Sequence, residues 1–266
     1  MTGKVWFVGA GPGDPELLTV KGRRLLEEAG AILYAGSLVD RAATLFAPPG
    51  CEIRDSKDMT LEEMSAWLLD QTARHATVVR LQTGDPGLYG ALVEMTRPLT
   101  AAGIEWTVVP GRSTVRSAVP GVSSAFASAA AAGETLTLPE VTQTVILTRV
   151  AGRTPMPPGE ELEALAAHRS TLCIFLSITL LHEVQRALRA AGWAEDAPIL
   201  VVQKASWPGE EKIVRGTLAD IKQRCQAEKI ASQAMIVASP ALGAADWPTL
   251  ARSKLYDPAF AHRFRK

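Results

Sequence analysis

Tyr34-Ala35-Gly36-Ser37-Leu38-Val39, taken with Gly9-Ala10-Gly11-Pro12-Gly13-Asp14-Pro15 before it and Thr83-Gly84-Asp85-Pro86 after it, decides how this chain folds. Each segment stands where an apolar strand ends: Val5–Val8 runs into Gly9, Ala31–Ala35 into Gly36, and Thr77–Leu81 into the third loop. Three such loops predict an α/β fold with a mainly parallel sheet and a ligand cleft along one edge.

Other elements follow the same alternation. Thr19–Ala29 has helical spacing, with Leu18, Leu25 and Ala29 on one face and Gly30 as its stop. Thr60-Leu61-Glu62-Glu63 is a capping box, and Leu61, Met64 and Leu68 continue its stripe. Trp106–Val109 reads as a strand ending at Pro110-Gly111. Further strands are expected at Thr144–Thr148, Leu172–Leu176, Ile199–Gln203, Lys212–Arg215 and Ala234–Ala238. Leu181, Val184 and Leu188 share a helical face, Thr217-Leu218-Ala219-Asp220 reads as a second cap, and Gly152–Gly159 as a loop. The division expected is an N-terminal α/β domain over 1–121, a C-terminal α/β domain over 122–250 and a basic tail over 251–266. Val109-Pro110-Gly111 recurs as Val119-Pro120-Gly121, so residues 111–120 read as a local insertion rather than a solenoid unit.

With 266 residues, 47% of them hydrophobic, the chain can bury an ample core. Lys and Arg number 28 and so do Asp and Glu, so no global field draws nucleic acid or a membrane, and an anionic ligand needs a local basic pocket. Met1-Thr2-Gly3-Lys4 shows no leader pattern, and the apolar runs break short of the roughly 20 residues that cross a bilayer. Cys51, Cys173 and Cys225 are odd in number and far apart, as expected of reduced thiols in a cytoplasmic protein. The histidines lack metal-ligand spacing, so no metal site is expected.

Gly9–Asp14 misses the dinucleotide fingerprint, because its third glycine comes one residue early. Asp14 would set negative charge beside a pyrophosphate, and Tyr34-Ala35-Gly36 stands where an acidic ribose partner is expected. The stretch reads as a tight turn with Asp14 as cap and Pro15 at the first helical position, able to line a cleft as well. In Thr83–Gly87 glycine admits a ligand close to the backbone, and Asp85 either caps the turn or binds ligand. Ser123 or Ser124 caps a small-residue helix, with Ser124 and Ala125 facing a ligand. His75, His168 and His182 fall on expected helices with no nucleophile or acid at a telling spacing. No G-x-S-x-G elbow, P-loop or H-E-x-x-H occurs. Arg252, Lys254, Arg263, Arg265 and Lys266 read as a solvated tail.

Together GAGPGDPELLT, YAGSLV, TGDPGLYG, VPGVSSAF and LTLPEVTQTVILTR resemble the tetrapyrrole methylases that build the corrin ring, over roughly Lys4 to Trp247. YAGSLV and LPEVTQT are the most specific pieces, similar to the precorrin-4 C(11) branch. The resemblance implies two α/β domains with S-adenosylmethionine in the cleft between them, leaving as S-adenosylhomocysteine. It implies a homodimer and methylation of precorrin-4 or cobalt-precorrin-4. Cofactor contacts are implied at Pro12, Gly84, Asp85, Pro86, Ser124, Ala125, Leu176, Ser177, Ala205, Val237 and Ala238. Substrate is expected along Asp14, Tyr34, Gly36 and Ser37, with Lys57, Arg149 and Arg153 as candidate grips for its carboxylates. Lys57 also matches a lysine proposed as proton donor in the related uroporphyrinogen methylases, whereas their aspartate, proposed as base, is replaced by Gly36. A sulfonium methyl is already electrophilic and the attacking ring carbon electron-rich. Such a site needs alignment at about 3–3.5 Å and exclusion of water rather than a side-chain nucleophile. Two other readings stay open: a relative that methylates RNA or protein, and a tetrapyrrole binder whose turnover the insertion abolishes.

Overall fold

Residues 3–107 and 119–248 are described in the computed structural model of this chain. They fall into two units, one of Met1–Ala127 with Ser206–Glu210, the other of Ser128–Ala205 with Glu211–Lys266.

In the first unit five parallel strands lie in the order β3-β2-β4-β1-β5. They are β1 (Lys4–Gly9), β2 (Ala31–Tyr34), β3 (Glu52–Asp55), β4 (Thr77–Gln82) and β5 (Trp106–Thr107). The central strands are covered on both faces, which is why their sequences are nearly continuous apolar runs. On one face Val8, Ile32, Val79 and Leu81 pack with Leu25 and Leu26 of α1 (Val20–Glu27). On the other, Val5, Phe7, Leu33 and Val78 meet Leu68 of α2 (Leu61–Arg74) and Met95 and Leu99 of α3 (Leu92–Ala101). Thr19 caps α1 through Gly22 N at 3.0 Å, and the Thr60–Glu63 capping box opens α2 as expected. His75 terminates α2 instead of lying within it.

The strand expected at Trp106–Val109 is seen at Trp106-Thr107; the first VPG, Arg112–Ala118 and the basic tail lie outside the described residues. The second VPG rejoins the sheet. Val119 bridges Val8 in parallel, donating from its N to Phe7 O at 2.8 Å and accepting from Gly9 N at 3.0 Å. Thr107 pairs with Trp6, so Val119 stands two places further along β1, where an uninterrupted β5 would continue.

The second unit holds a mixed sheet in the order β6-β7-β10-β8-β9: β6 (Val145–Arg149), β7 (Thr171–Phe175), β8 (Pro198–Gln203), β9 (Lys212–Thr217) and β10 (Ala234–Ala238). Only the β6–β7 pair is parallel; the remaining pairs are antiparallel. After α4 (Ser124–Ala132) come α5 (Leu162–Ala166), α6 (Leu181–Ala190) and α7 (Ile221–Ala227). The Leu181, Val184 and Leu188 stripe of α6 enters a core with Leu172, Ile174, Ile199, Val201 and Ile236. His182 is on α6, whereas His168 follows α5. The cap expected at Thr217–Asp220 runs the other way. Asp220 Oδ1 accepts from Thr217 N at 2.7 Å and makes no cap bond to α7. No helix among the described residues is long and apolar enough to cross a membrane.

Candidate active site

Beyond the ends of β1 and β4 three loops meet backbone to backbone. Gly84 N donates to Gly11 O at 2.8 Å, and both glycines are left-handed, at φ +57° and +72°. A Cβ on Gly121 would lie 2.0 Å from Gly84 O, and one on Gly9 2.5 Å from the same oxygen. Asp85 fastens the junction, its Oδ1 accepting from Gly87 N at 2.8 Å and its Oδ2 from Gly121 N at 3.1 Å. Its carboxylate is therefore turned onto the protein's own main chain. Ser123 Oγ accepts from Ala125 N at 3.3 Å at the start of α4. A Cβ on Gly84 would be 4.0 Å from Ser124 N, so the Gly84–Pro86 loop and the Ser124-Ala125 turn come together.

Pro12 and Asp14 are tied by residues far along the chain. Trp207 Nε1 donates to Pro12 O at 2.9 Å, and Ser206 Oγ accepts from Asp14 N at 3.1 Å. Asp14 Oδ1 accepts from Glu16 N at 2.8 Å, and Pro15 opens a short 3-10 turn, Pro15–Leu17.

At the carboxyl ends of β2 and β3, Asp55 Oδ1 accepts from Gly36 N and from Lys57 N, both at 2.9 Å. Tyr34 O accepts from Ser56 N at 2.9 Å and Ser56 Oγ at 3.0 Å. Arg80 Nη1 donates to Ser56 Oγ at 2.9 Å and Leu33 O at 3.3 Å. Arg80 is 5% exposed, and its Nε is buried with no partner among the described residues. Burial lowers this guanidinium to about 10, and the neighbouring Asp55 charge acts in the opposite sense, so it stays cationic at neutral pH. Ser37 and Lys57 are exposed in the loops that follow β2 and β3. Asp55, Ser56 and Arg80 escaped the sequence reading; the available signal was a cation inside the buried run Thr77–Gln82.

In the second unit β7 and β8 end, and β10 begins, along one sheet edge. Leu176, Lys204 and Gln233 there are all left-handed, at φ +53°, +49° and +50°, and Leu176 is 59% exposed. Strained non-glycine backbone of this kind gathers where function over-determines geometry. Ser177 is buried, its Oγ donating to Phe175 O at 2.7 Å and accepting from Val150 N at 2.9 Å. Ala205 is buried just past β8.

Val237 and Ala238 are elsewhere. The antiparallel register sets Val237 opposite Cys173 and Leu200, and Ala238 opposite Leu172 and Ile199, toward the start of β7. Ala234, opposite Gln203, is the β10 residue at the edge shared with Leu176. Arg149 is committed as well. Its Nη1 donates to Thr154 O at 3.1 Å and its Nη2 to Pro155 O at 2.8 Å, which pins the following loop rather than leaving a fork for a carboxylate. Arg153 is exposed on that loop.

A family model described as Tetrapyrrole (Corrin/Porphyrin) Methylases matches residues 4–119 and 115–222. The cobalt-precorrin-4 C(11)-methyltransferase of Priestia megaterium is 46% identical over 99% of this chain and 98% of its own. The precorrin-4 C(11)-methyltransferase of Sinorhizobium sp is 42% identical over 98% of each chain. A solved cobalt-precorrin-4 methyltransferase, described as a cobalamin biosynthetic enzyme, aligns with a TM-score of 0.82 at 46% identity, covering 90% of this chain and 95% of that one. The uroporphyrin-III C-methyltransferase of Thermus thermophilus, solved with S-adenosylhomocysteine, aligns with a TM-score of 0.70 at 30% identity, covering 90% and 98%. By the family match and by identity along nearly its whole length, this chain belongs to the tetrapyrrole methylases.

Proposed function

We propose that this chain transfers a methyl group from S-adenosylmethionine to carbon 11 of precorrin-4 or cobalt-precorrin-4, a step of cobalamin biosynthesis. The observation that carries the reading is the 46% identity with the Priestia enzyme over 99% of the chain. The residues present fit such a donor. In the first unit Gly84 offers main chain with no atom closer than 3.8 Å to the place of a Cβ, beside the small residues Ser124 and Ala125. In the second unit an exposed Leu176 stands on the edge near buried Ser177 and Ala205. Neither set presents a side-chain charge to a sulfonium.

When bound, the donor supplies an electrophilic methyl group, so the protein's task is alignment and dryness. Gly84–Pro86, Ser124 and Ala125 are assigned to its main-chain grip, with Pro12 held in place by Trp207. Leu176, Ser177 and Ala205 are assigned to apolar and backbone contacts. Tyr34, Gly36, Ser37 and Lys57, beyond β2 and β3, are assigned to the tetrapyrrole, and Arg153 to one of its carboxylates. The proposal includes a homodimer working in the cytoplasm, with an N-terminal domain of 1–121 carrying the tetrapyrrole.

The test is incubation with methyl-labelled donor and either precorrin-4 or cobalt-precorrin-4. One added methyl by mass, placed at carbon 11 by NMR, is expected, and the better of the two substrates tells whether cobalt is already in the ring. No methyl gain with either overturns the reading.

A further inference from the structure

We infer that Asp55 is the base of this site, accepting through Oδ2 the proton that the tetrapyrrole releases on methylation; the inference rests on the methylation reading above. A Cβ on Gly36 would lie 2.2 Å from Asp55 Oδ2 and 2.4 Å from its Cγ. The carboxylate reached from β3 thus fills the space a side chain after β2 would occupy.

The carboxylate is built to face outward. Oδ1 is held by two backbone N–H groups, Gly36 N and Lys57 N, which fix its plane. Oδ2 takes no hydrogen bond from any described residue and is not sealed from solvent. Behind it stands the Arg80 cation, buried and anchored on Ser56 Oγ. Among the other acids beyond these strand ends, Asp85 spends both oxygens on backbone, Asp14 and Asp40 each cap a turn through Oδ1, and Asp58 is exposed on the loop after β3. In open α/β sheets ligands lie beyond the carboxyl ends of the strands, and Asp55 is the last residue of β3.

The balance is simple. One carbon–carbon bond replaces the methyl–sulfur bond, and the broken bond's pair stays on sulfur. The sulfonium's charge then leaves as one proton from a ring N–H. Asp55 Oδ2 accepts that proton and passes it to water.

Asp55→Asn keeps the acceptor for both backbone donors and removes the basicity. It should lower kcat about 100-fold or more, with S-adenosylhomocysteine affinity by calorimetry and melting temperature both unchanged. Asp55→Ala opens the space at residue 36, and adding Gly36→Asp then delivers a carboxylate from β2 instead. That double variant should turn over at least about tenfold faster than Asp55→Ala alone. An Asp55→Asn enzyme within about threefold of wild type, or a double variant no better than Asp55→Ala, overturns the inference. Wild-type protein that methylates neither substrate overturns the methylation reading itself, and this inference with it.

Discussion

The indole of Trp207 occupies the space that a side chain on Gly13 would need: a Cβ there would stand 2.0 Å from Trp207 Cδ1. The same ring donates to Pro12 O at 2.9 Å. Gly13→Ala should therefore push the indole off the loop and break that bond. We expect S-adenosylhomocysteine to bind about tenfold more weakly by calorimetry, a loss of about 1.4 kcal/mol. Trp207→Phe, which keeps a ring and deletes the donor, should cost about 1 kcal/mol in urea unfolding.

Gly121→Ala tests the junction of loops. Its Cβ would sit 2.0 Å from Gly84 O, and main chain cannot swing aside as a side chain can. A loss of about 3 kcal/mol is expected by chemical denaturation. Gly50→Ala is the control, since Gly50 is left-handed at φ +84° with nothing within 4 Å of its Cβ position. Only the conformational penalty of about 1 kcal/mol applies there.

Leu176→Gly separates backbone strain from ligand contact. Glycine relieves the φ of +53° but adds freedom to the unfolded chain, and these effects nearly cancel. The melting temperature should stay within a few degrees. Loss of an apolar side chain of this size against the donor should raise its KM about tenfold. An unchanged KM would remove Leu176 from the donor contacts.

Excision of residues 109–118 should leave a stable, active enzyme, because Val119 already sits in the register that an uninterrupted β5 would reach. The expected readout is a melting temperature no lower than wild type and kcat within about threefold, as a shorter connection between two paired positions costs less to close. A collapse of kcat with stability intact would show that the repeat shapes the site.

Burial pushes the Cys173 thiol up to about 12 and the Cys225 thiol up to about 11. Because the thiolate is the reactive form, a disulfide reagent at pH 8 should label at most Cys51 in the native protein and all three cysteines in denaturant. The sign of the linkage follows. The folded state holds these protons more tightly than the unfolded chain, so their stabilising contribution is complete below about pH 9 and is lost as pH rises toward 11–12. Urea midpoints should fall over that window, where the midpoint of a Cys225→Ser variant should fall less steeply.

The parts legible in sequence were those whose signal is local. Strands β1, β2 and β4 are apolar runs closed by glycine loops, and the Asp14 and Thr60 caps sit where short side chains reach their own backbone. Strand β3 was illegible because, as an edge strand, Glu52, Ile53 and Arg54 are exposed and carry no alternation. Helix α3 was missed since it begins after a left-handed Ala91 without a cap bond and contains Pro98. Strand direction is likewise absent from a period-2 pattern. The resemblance implies Val237 and Ala238 as cofactor contacts, whereas antiparallel pairing sets them opposite Cys173, Leu172, Leu200 and Ile199, away from the edge that holds Leu176. Trp207 and Pro12 are 195 residues apart, and Arg80 reaches Ser56 across 24, so neither contact leaves a mark on neighbouring sequence.

The return of Val119 to the side of β1 gives the molecule an internal grafting point. Thr107 and Val119 are both paired to β1, so a foreign peptide spliced between them has only to start and finish where residues 108–118 do. An affinity handle or a reporter module could enter there without touching either terminus.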